Sequence, residues 1–223
     1  MLRIEVPEAG LTVSARLGGP VGKGPLLVLG HGAGAGMDHP VLGAFADAFA
    51  AHGIATLRYQ FPFMERKGGR GFGRDAPVVA VGTVAAAVAE ARRHAAGHPV
   101  LAGGHSYGGR MTSHAAAEGR LDGVAALVLL AFPLHGAGRP GTERATHLAG
   151  LRLPMCFVSG DRDAMAAPGL LEEAVSGAAD ARVVRIPGAD HGWKAPRRRW
   201  PEGPFAAVGA VVAEFLAGAR RRG

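Results

Sequence analysis

The stretch Val100-Leu101-Ala102-Gly103-Gly104-His105-Ser106-Tyr107-Gly108-Gly109 decides how the rest of the chain is read. An apolar strand, a glycine-dense turn and the start of a helix follow one another. The turn spells G-x-S-x-G as Gly104-His105-Ser106-Tyr107-Gly108. This context predicts a serine lifted out of a sheet on a sharp corner, where side chains two positions to either side would strike neighbouring backbone. The helix N-terminus beneath it favours developing negative charge. Ser106 is therefore a candidate nucleophile, with an ordinary helix-capping serine as the plainer alternative.

Outward from this turn, strands alternate with helices. Leu2–Val6 and Leu11–Leu17, separated by Pro7-Glu8-Ala9-Gly10, predict an opening hairpin. The continuous apolar runs 25–29, 54–59, 124–132 and 155–159 suit strands buried on both faces, with a further strand at 182–186. Helical patterns occupy 41–53, 77–98, 107–118, 168–176 and 205–219. The alternation predicts an α/β fold in three layers: a mostly parallel sheet covered on both faces, with an antiparallel hairpin at its N-terminal edge. Neither a repeat nor a boundary divides the 223 residues, so 1–223 are expected to form one domain. Residues 60–75 form a Gly/Arg-rich loop, long enough to suspect function. The connector from Pro133 to Arg152 is too short for a substantial lid. An open pocket for small substrates is expected, beyond the carboxyl ends of the strands.

At 48% apolar and 19% charged residues, the chain can bury its own core, and disorder is excluded. Its longest apolar run, Val124 to Phe132, falls far short of the ~20 residues of a membrane span. The opening Met1-Leu2-Arg3-Ile4-Glu5 lacks the features of a secretory signal. A lone Cys156 excludes an internal disulfide framework and fits a reducing, cytoplasmic setting. The formal charge of +7 would suit a polyanion partner. Yet only Lys23, Lys67 and Lys194 among the 25 cations are not arginine, a skew that GC-rich bacterial codon usage also produces. Basic residues cluster at 197–199, at 220–222 and in 66–74, the last looking like a single RGG-type copy. Solvated loops and tail are the preferred explanation, with no nucleic-acid or membrane partner expected.

A serine nucleophile needs a base, and the base an orienting acid. After Ser106 the histidines are His114, His135, His147 and His191. His114 lies two turns into the helix and should point away. His191 follows the last strand in Pro187-Gly188-Ala189-Asp190-His191-Gly192-Trp193 and is the preferred base, with His135 second. Asp163 and Asp161 compete as the acid in Ser159-Gly160-Asp161-Arg162-Asp163, and G-x-x-D spacing favours Asp163. The backbone N–H of Tyr107 and that of Ala33, in His31-Gly32-Ala33-Gly34-Ala35-Gly36, are the expected oxyanion donors, with Gly34 in reserve. Phe61, Phe63, Leu134, His135 and Trp193 are candidate substrate walls, with burial in the core an equally good reading for the two Phe. Arg58 and Arg66 are candidates to hold a substrate carboxylate, but pairing with Glu65 or exposure to solvent is preferred. No metal is expected: His94 and His98 are four apart, but at a helix end and without carboxylate company. Cys156 reads as a core residue. Gly30-x-Gly32-x-x-Ala35 satisfies a relaxed dinucleotide pattern with Arg58 at the next strand end, so an NADP-binding protein is the rival reading. No cofactor is expected otherwise.

With these residues placed, the chain resembles the α/β-hydrolases of the dienelactone hydrolase-like group, and more closely the branch containing testis-expressed protein 30. The resemblance rests on His31 to Pro40, Arg58 to Glu65, Gly103 to Arg110, Pro133-Leu134-His135, Val158-Ser159-Gly160 and Asp190-His191-Gly192. It implies an α/β-hydrolase fold and a Ser106–Asp163–His191 triad that cleaves a small carboxylic ester or related acyl bond without metal. A related domain serves as a subunit of a chromatin acetyltransferase complex, so a non-catalytic interaction module is the alternative. The chain departs from the closest pattern in its Lys67–Arg74 insertion and in His105.

Overall fold

The structure is a computed structural model that describes residues 1–220, so Arg221 and Arg222 of the last basic cluster lie outside the described residues. Eight strands form one sheet: β1 (Leu2–Val6), β2 (Leu11–Gly18), β3 (Leu26–Gly30), β4 (Ala55–Tyr59), β5 (Val100–His105), β6 (Val124–Leu130), β7 (Met155–Gly160) and β8 (Ala181–Ile186). Their order is β1-β2-β4-β3-β5-β6-β7-β8. β1 pairs antiparallel with β2, and β2 antiparallel with β4. The other five pairings are parallel. The expected α/β architecture with its antiparallel N-terminal edge is what the chain adopts.

Why apolar runs become central strands is visible in β3. Leu26 and Val28 enter one core and Leu27 and Leu29 the other, because successive side chains of a strand point to opposite faces. In β7, Met155 and Phe157 likewise face one side and Cys156 and Val158 the other. Helices α1 (Pro40–Ala50) and α6 (Phe205–Arg220) cover one face with Leu42, Phe45, Phe49, Val208, Val212 and Phe215. Helices α3 (Pro77–His94) and α4 (Tyr107–Ala117) cover the other with Ala80, Val84, Val88, Met111 and Ala115. The single-turn α2 (Pro62–Glu65) and the short α5 (Leu170–Ala174) add Met64 and Leu171 to that side.

Several boundaries change: the expected loop 60–75 opens with the single turn α2, the helix expected at 168–176 shortens to α5, and the strand expected at 124–132 ends at Leu130. The helix expected over 77–98 stops at His94, since Ala96 (φ 49°) and Gly97 (φ 81°) turn the backbone left-handed ahead of Pro99. The strand expected at Val100 to Ala102 continues to His105, because its glycines meet the neighbouring strands' backbone directly.

That closeness is greatest where β3 meets the N-terminus of α4. A Cβ on Gly108 would stand 2.5 Å from Gly30 O, and one on Gly104 would stand 2.7 Å from both Gly30 O and Gly108 C. The spacing of Gly30 and Gly32 thus serves packing against the serine turn. Gly30 faces the backbone of α4, so its lack of a side chain has a packing reason that needs no dinucleotide. In a helix, Gly→Ala ordinarily stabilises by up to ~1 kcal/mol. At Gly108 packing reverses the sign: Gly108→Ala should destabilise by about 1–3 kcal/mol. Gly150→Ala, where a Cβ meets nothing within 4 Å, is the control, expected to change the urea midpoint little.

Candidate active site

Three loops at the carboxyl ends of β5, β7 and β8 bring Ser106, Asp163 and His191 together. Ser106 sits at φ 51° and ψ −113°, between the last residue of β5 and the first of α4. Its N–H donates to Leu130 O at 2.8 Å, which ties the turn to the tip of β6. Ser106 Oγ lies 2.9 Å from His191 Nε2. His191 Nδ1 lies 2.9 Å and 3.0 Å from the two carboxylate oxygens of Asp163. Since a carboxylate only accepts, Nδ1 carries the proton and Nε2 is left to accept from the serine. The Asp163 side chain has no exposed surface.

The loops that carry acid and base are bonded to each other. Asp161 N–H donates to Ile186 O at 3.2 Å and Arg162 N–H to Ala189 O at 3.0 Å. Gly160 permits this, because any Cβ there would collide with Ala189 O. Asp163 Oδ1 also accepts from Met165 N–H at 2.8 Å. Asp161, the competing acid, instead accepts from Gly188 N–H at 2.7 Å, and so braces the turn ahead of the histidine. Asp190 closes the turn behind it by accepting from the N–H groups of Gly192 and Lys194, both at 2.9 Å.

Above Ser106 opens a cleft of about 290 Å³, lined in part by Ala33, Tyr107 and His191. Tyr107 is the first residue of α4, so its N–H belongs to the first turn, which has no partner inside the helix. Ala33 is held from outside, since its carbonyl accepts from Gly73 N–H at 3.0 Å. The 60–75 loop therefore lies over the expected oxyanion turn and contributes Phe72 and Arg74 to the cleft.

The expected substrate walls do not line this cleft. Phe61 and Leu134 are completely buried, and Phe63 and Trp193 nearly so, because their apolar rings and chains gain more from the core than from the rim. Trp193 packs edge-on against Phe45 at 5.0 Å and anchors the His191 loop to α1. Phe61 and Phe63 pack around the His31 ring at 5.1 and 5.7 Å. His135, second choice as base, is buried, and its ring bonds Gly136 O (2.9 Å) and Ala167 N–H (3.2 Å). It braces the acid loop and does not reach Ser106. His114 stacks on His147 at 4.1 Å, and His147 bonds Ser113 Oγ at 2.8 Å, away from the cleft.

Neither Arg58 nor Arg66 takes Glu65 as its partner, contrary to the preferred expectation. Arg58 donates to Met37 O at 3.2 Å, Arg66 pairs with Asp75 at 3.4 Å, and Glu65 pairs with Arg3 at 2.7 Å. His94 does have a carboxylate neighbour, Glu90 at 2.9 Å. Among the described residues, no group of three metal-ligating side chains is assembled, and no helix is long and apolar enough to cross a membrane. Sequence reasoning missed the cleft residues Arg110, Arg144, Met165 and Phe72. Arg110 carried a signal, since it stands one helical turn after Ser106.

Two histidines, His31 fully buried and His105 partly so, support the site as neutral groups. His31 has no exposed surface; its Nδ1–H donates to Gly32 O at 2.8 Å and its Nε2 accepts from Phe61 N–H at 2.9 Å. Burial pulls its pKa down to about 4. His105 bonds His191 O through Nε2 at 3.2 Å, and burial, reinforced by nearby His191, also lowers its pKa to about 4. Burial raises the Cys156 thiol to about 12, which leaves it inert in the core.

Residues 23–203 match the family described as Alpha/beta hydrolase domain. No curated protein matches the chain. Among solved structures, Est1E from Butyrivibrio proteoclasticus, bound to ferulic acid, is 20% identical, with a TM-score of 0.77 over 97% of this chain and 100% of that one. Dienelactone hydrolase from Anabaena variabilis is 21% identical, with a TM-score of 0.73 over 97% and 95% of the two chains. An α/β serine hydrolase without lid from Xanthomonas campestris is 20% identical, with a TM-score of 0.67 over 99% and 93%. At these identities the likeness is one of fold.

The neutral histidines set a pH dependence of stability. Unfolded, His31 titrates near 6.5; folded, near 4. Between those values the unfolded chain binds more protons, so stability falls as pH drops from 6.5 toward 4. Urea unfolding across this range should show the fall. In His31→Gln the slope should be shallower by about 1.4 kcal/mol per pH unit, one proton's worth.

Proposed function

The chain belongs to the alpha/beta hydrolase family, and from that membership we propose that it is a serine hydrolase of small carboxylic esters or related acyl compounds. The observation that carries the proposal is the unbroken contact from Ser106 Oγ through the His191 ring to the buried Asp163 carboxylate. In this reading His191 Nε2 takes the hydroxyl proton as Oγ bonds to the substrate carbonyl carbon, and the carbonyl electrons move onto oxygen. The N–H groups of Tyr107 and Ala33 receive that oxyanion. Removing one such donor typically slows a reaction by about 10²–10³. The tetrahedral species collapses and expels the alcohol, which leaves with the proton from Nε2. Water then gives a proton to Nε2 as it attacks the acyl carbon. Ser106 departs with that proton, so ester and water become acid and alcohol.

Asp163 keeps the Nδ1–H tautomer and stabilises the imidazolium. The backbone strain at Ser106 supports the catalytic reading over a scaffold, since a non-glycine residue held there costs about 1–3 kcal/mol that an interaction module has no use for. The cleft is small and, as in the lid-free Xanthomonas neighbour, no lid domain covers it, which favours short substrates. The neighbouring dienelactone hydrolase, by its reaction, supports the same class of chemistry. His31 to Pro40 and Arg58 to Glu65 support placing the chain beside the testis-expressed protein 30 branch.

A fluorophosphonate should label the protein at Ser106, and p-nitrophenyl acetate or butyrate should be turned over. Ser106→Ala should lose both. A label on another residue, or wild-type turnover in the variant, would contradict the mechanism. Asp163→Asn should lower kcat by about 10³–10⁴ through the wrong tautomer. Asp161→Asn keeps an acceptor for Gly188 and should stay near wild type, as steady-state kinetics on the same ester would show.

A further inference from the structure

Three arginines converge on the cleft with no acid to answer them. Arg110 stands one turn beyond Ser106 in α4, about 6 Å along the axis. Arg144 comes from the 133–152 connector, where its Nη1 donates to His135 O at 3.1 Å. Arg74 comes from the inserted 67–74 loop and is exposed at the mouth. All three line the cleft that holds Ser106. Among the described residues none of the three is in an ion pair, and what sets them apart from other unpaired arginines is that they share this one cleft.

Arg110 is the informative member. It is half-buried, and its Nε has neither solvent nor a hydrogen-bond partner. Burial first, then Arg144 and Arg74, pull its pKa down, against a smaller opposing effect of Tyr107. A half-buried guanidinium crowded by like charge is unfavourable unless something occupies the space between the cations. Codon-driven arginines on a solvated face would show neither feature. Guanidinium forks match the oxygens of carboxylates and phosphates.

We infer that the substrate is an ester bearing a second acidic oxygen group, a carboxylate or phosphate, which Arg110 and Arg144 hold with Arg74 at the mouth while the scissile carbonyl meets Ser106. This rests on the hydrolase reading above. The small cleft and the single turn between Ser106 and Arg110 limit the substrate to a short one, of the size of a dicarboxylic acid monoester.

The test compares kcat/KM for mono-p-nitrophenyl glutarate with that for p-nitrophenyl butyrate, an uncharged ester of similar acyl length. Wild type should favour the glutarate by about tenfold or more, chiefly through KM, and 0.5 M NaCl should erode the preference. Arg110→Gln and Arg144→Gln should each cut the ratio by about tenfold. A ratio cancels any general loss of activity, and the urea midpoint of each variant shows whether it folds. Competitive inhibition by glutarate without inhibition by inorganic phosphate assigns the site to carboxylates, and the reverse assigns it to phosphates. Equal rates on both esters, or a ratio that neither substitution moves, would overturn the inference. If Ser106 still takes the fluorophosphonate, the hydrolase reading then survives. If Ser106 takes no label, calorimetry with glutarate and with phosphate decides the site on its own. Binding lost in Arg110→Gln supports an anion site, and absence of binding to wild type rejects it.

Discussion

Backbone touches backbone where Gly30, Gly104 and Gly108 meet, and the position of Ser106 depends on that contact. With no Cβ in the way, the N-terminus of α4 comes down onto the tip of β3, and the chain between β5 and α4 has one tight corner in which to turn. Ser106 occupies that corner at positive φ, a conformation that persists only when its surroundings over-determine it. The same contact sets the start of the loop after β3, so Ala33 and Tyr107 reach one cleft from different strands. A methyl group at any of the three glycines would disturb both halves of the site together.

Around this corner, aromatic and imidazole rings anchor loops. His31 is fully enclosed between Phe61 and Phe63, and with its two bonds to backbone it fixes the turn that precedes Ala33. Trp193 sinks into the layer of Phe45 and holds the loop of His191, while His105 bonds the His191 carbonyl. His135 does similar service for the segment after Asp163. Neutral imidazole suits these places, because it offers one donor and one acceptor and carries no charge to bury. Two histidines, His105 and His191, line the cleft, and of these only His191 reaches Ser106 Oγ.

Charge divides differently from what composition alone suggests. Most of the surplus arginine finds acids or solvent. The 67–74 insertion does more than coat the surface: Gly73 ties down Ala33, while Phe72 and Arg74 form part of the rim. A loop whose composition looks like a solvated tract is thereby part of the cleft wall.

The strand-and-helix alternation, the antiparallel edge, the serine corner and the strand tips that bear Asp163 and His191 were all legible in the amino-acid sequence. Each is written locally, in period-two or unbroken apolar runs, in glycine spacing and in the order of segments. The assignment of walls was not legible. Phe61, Leu134 and Trp193 sit beside strand ends in sequence, and a ring there is equally apolar whether it faces a cleft or the core. Only the packing of α1, α2 and the β8–α6 loop decided that they turn inward. Asp161 and Asp163 are likewise two residues apart, and which carboxylate meets the imidazole depends on how the loop after β8 lies across Gly160. Arg110 and Arg144 are separated by 33 intervening residues, and nothing local says that they share a cleft. Local pattern determined the elements and the candidate chemistry. Tertiary contact decided which side chains face one another, because direction and distance between remote loops exist only once the layers have closed.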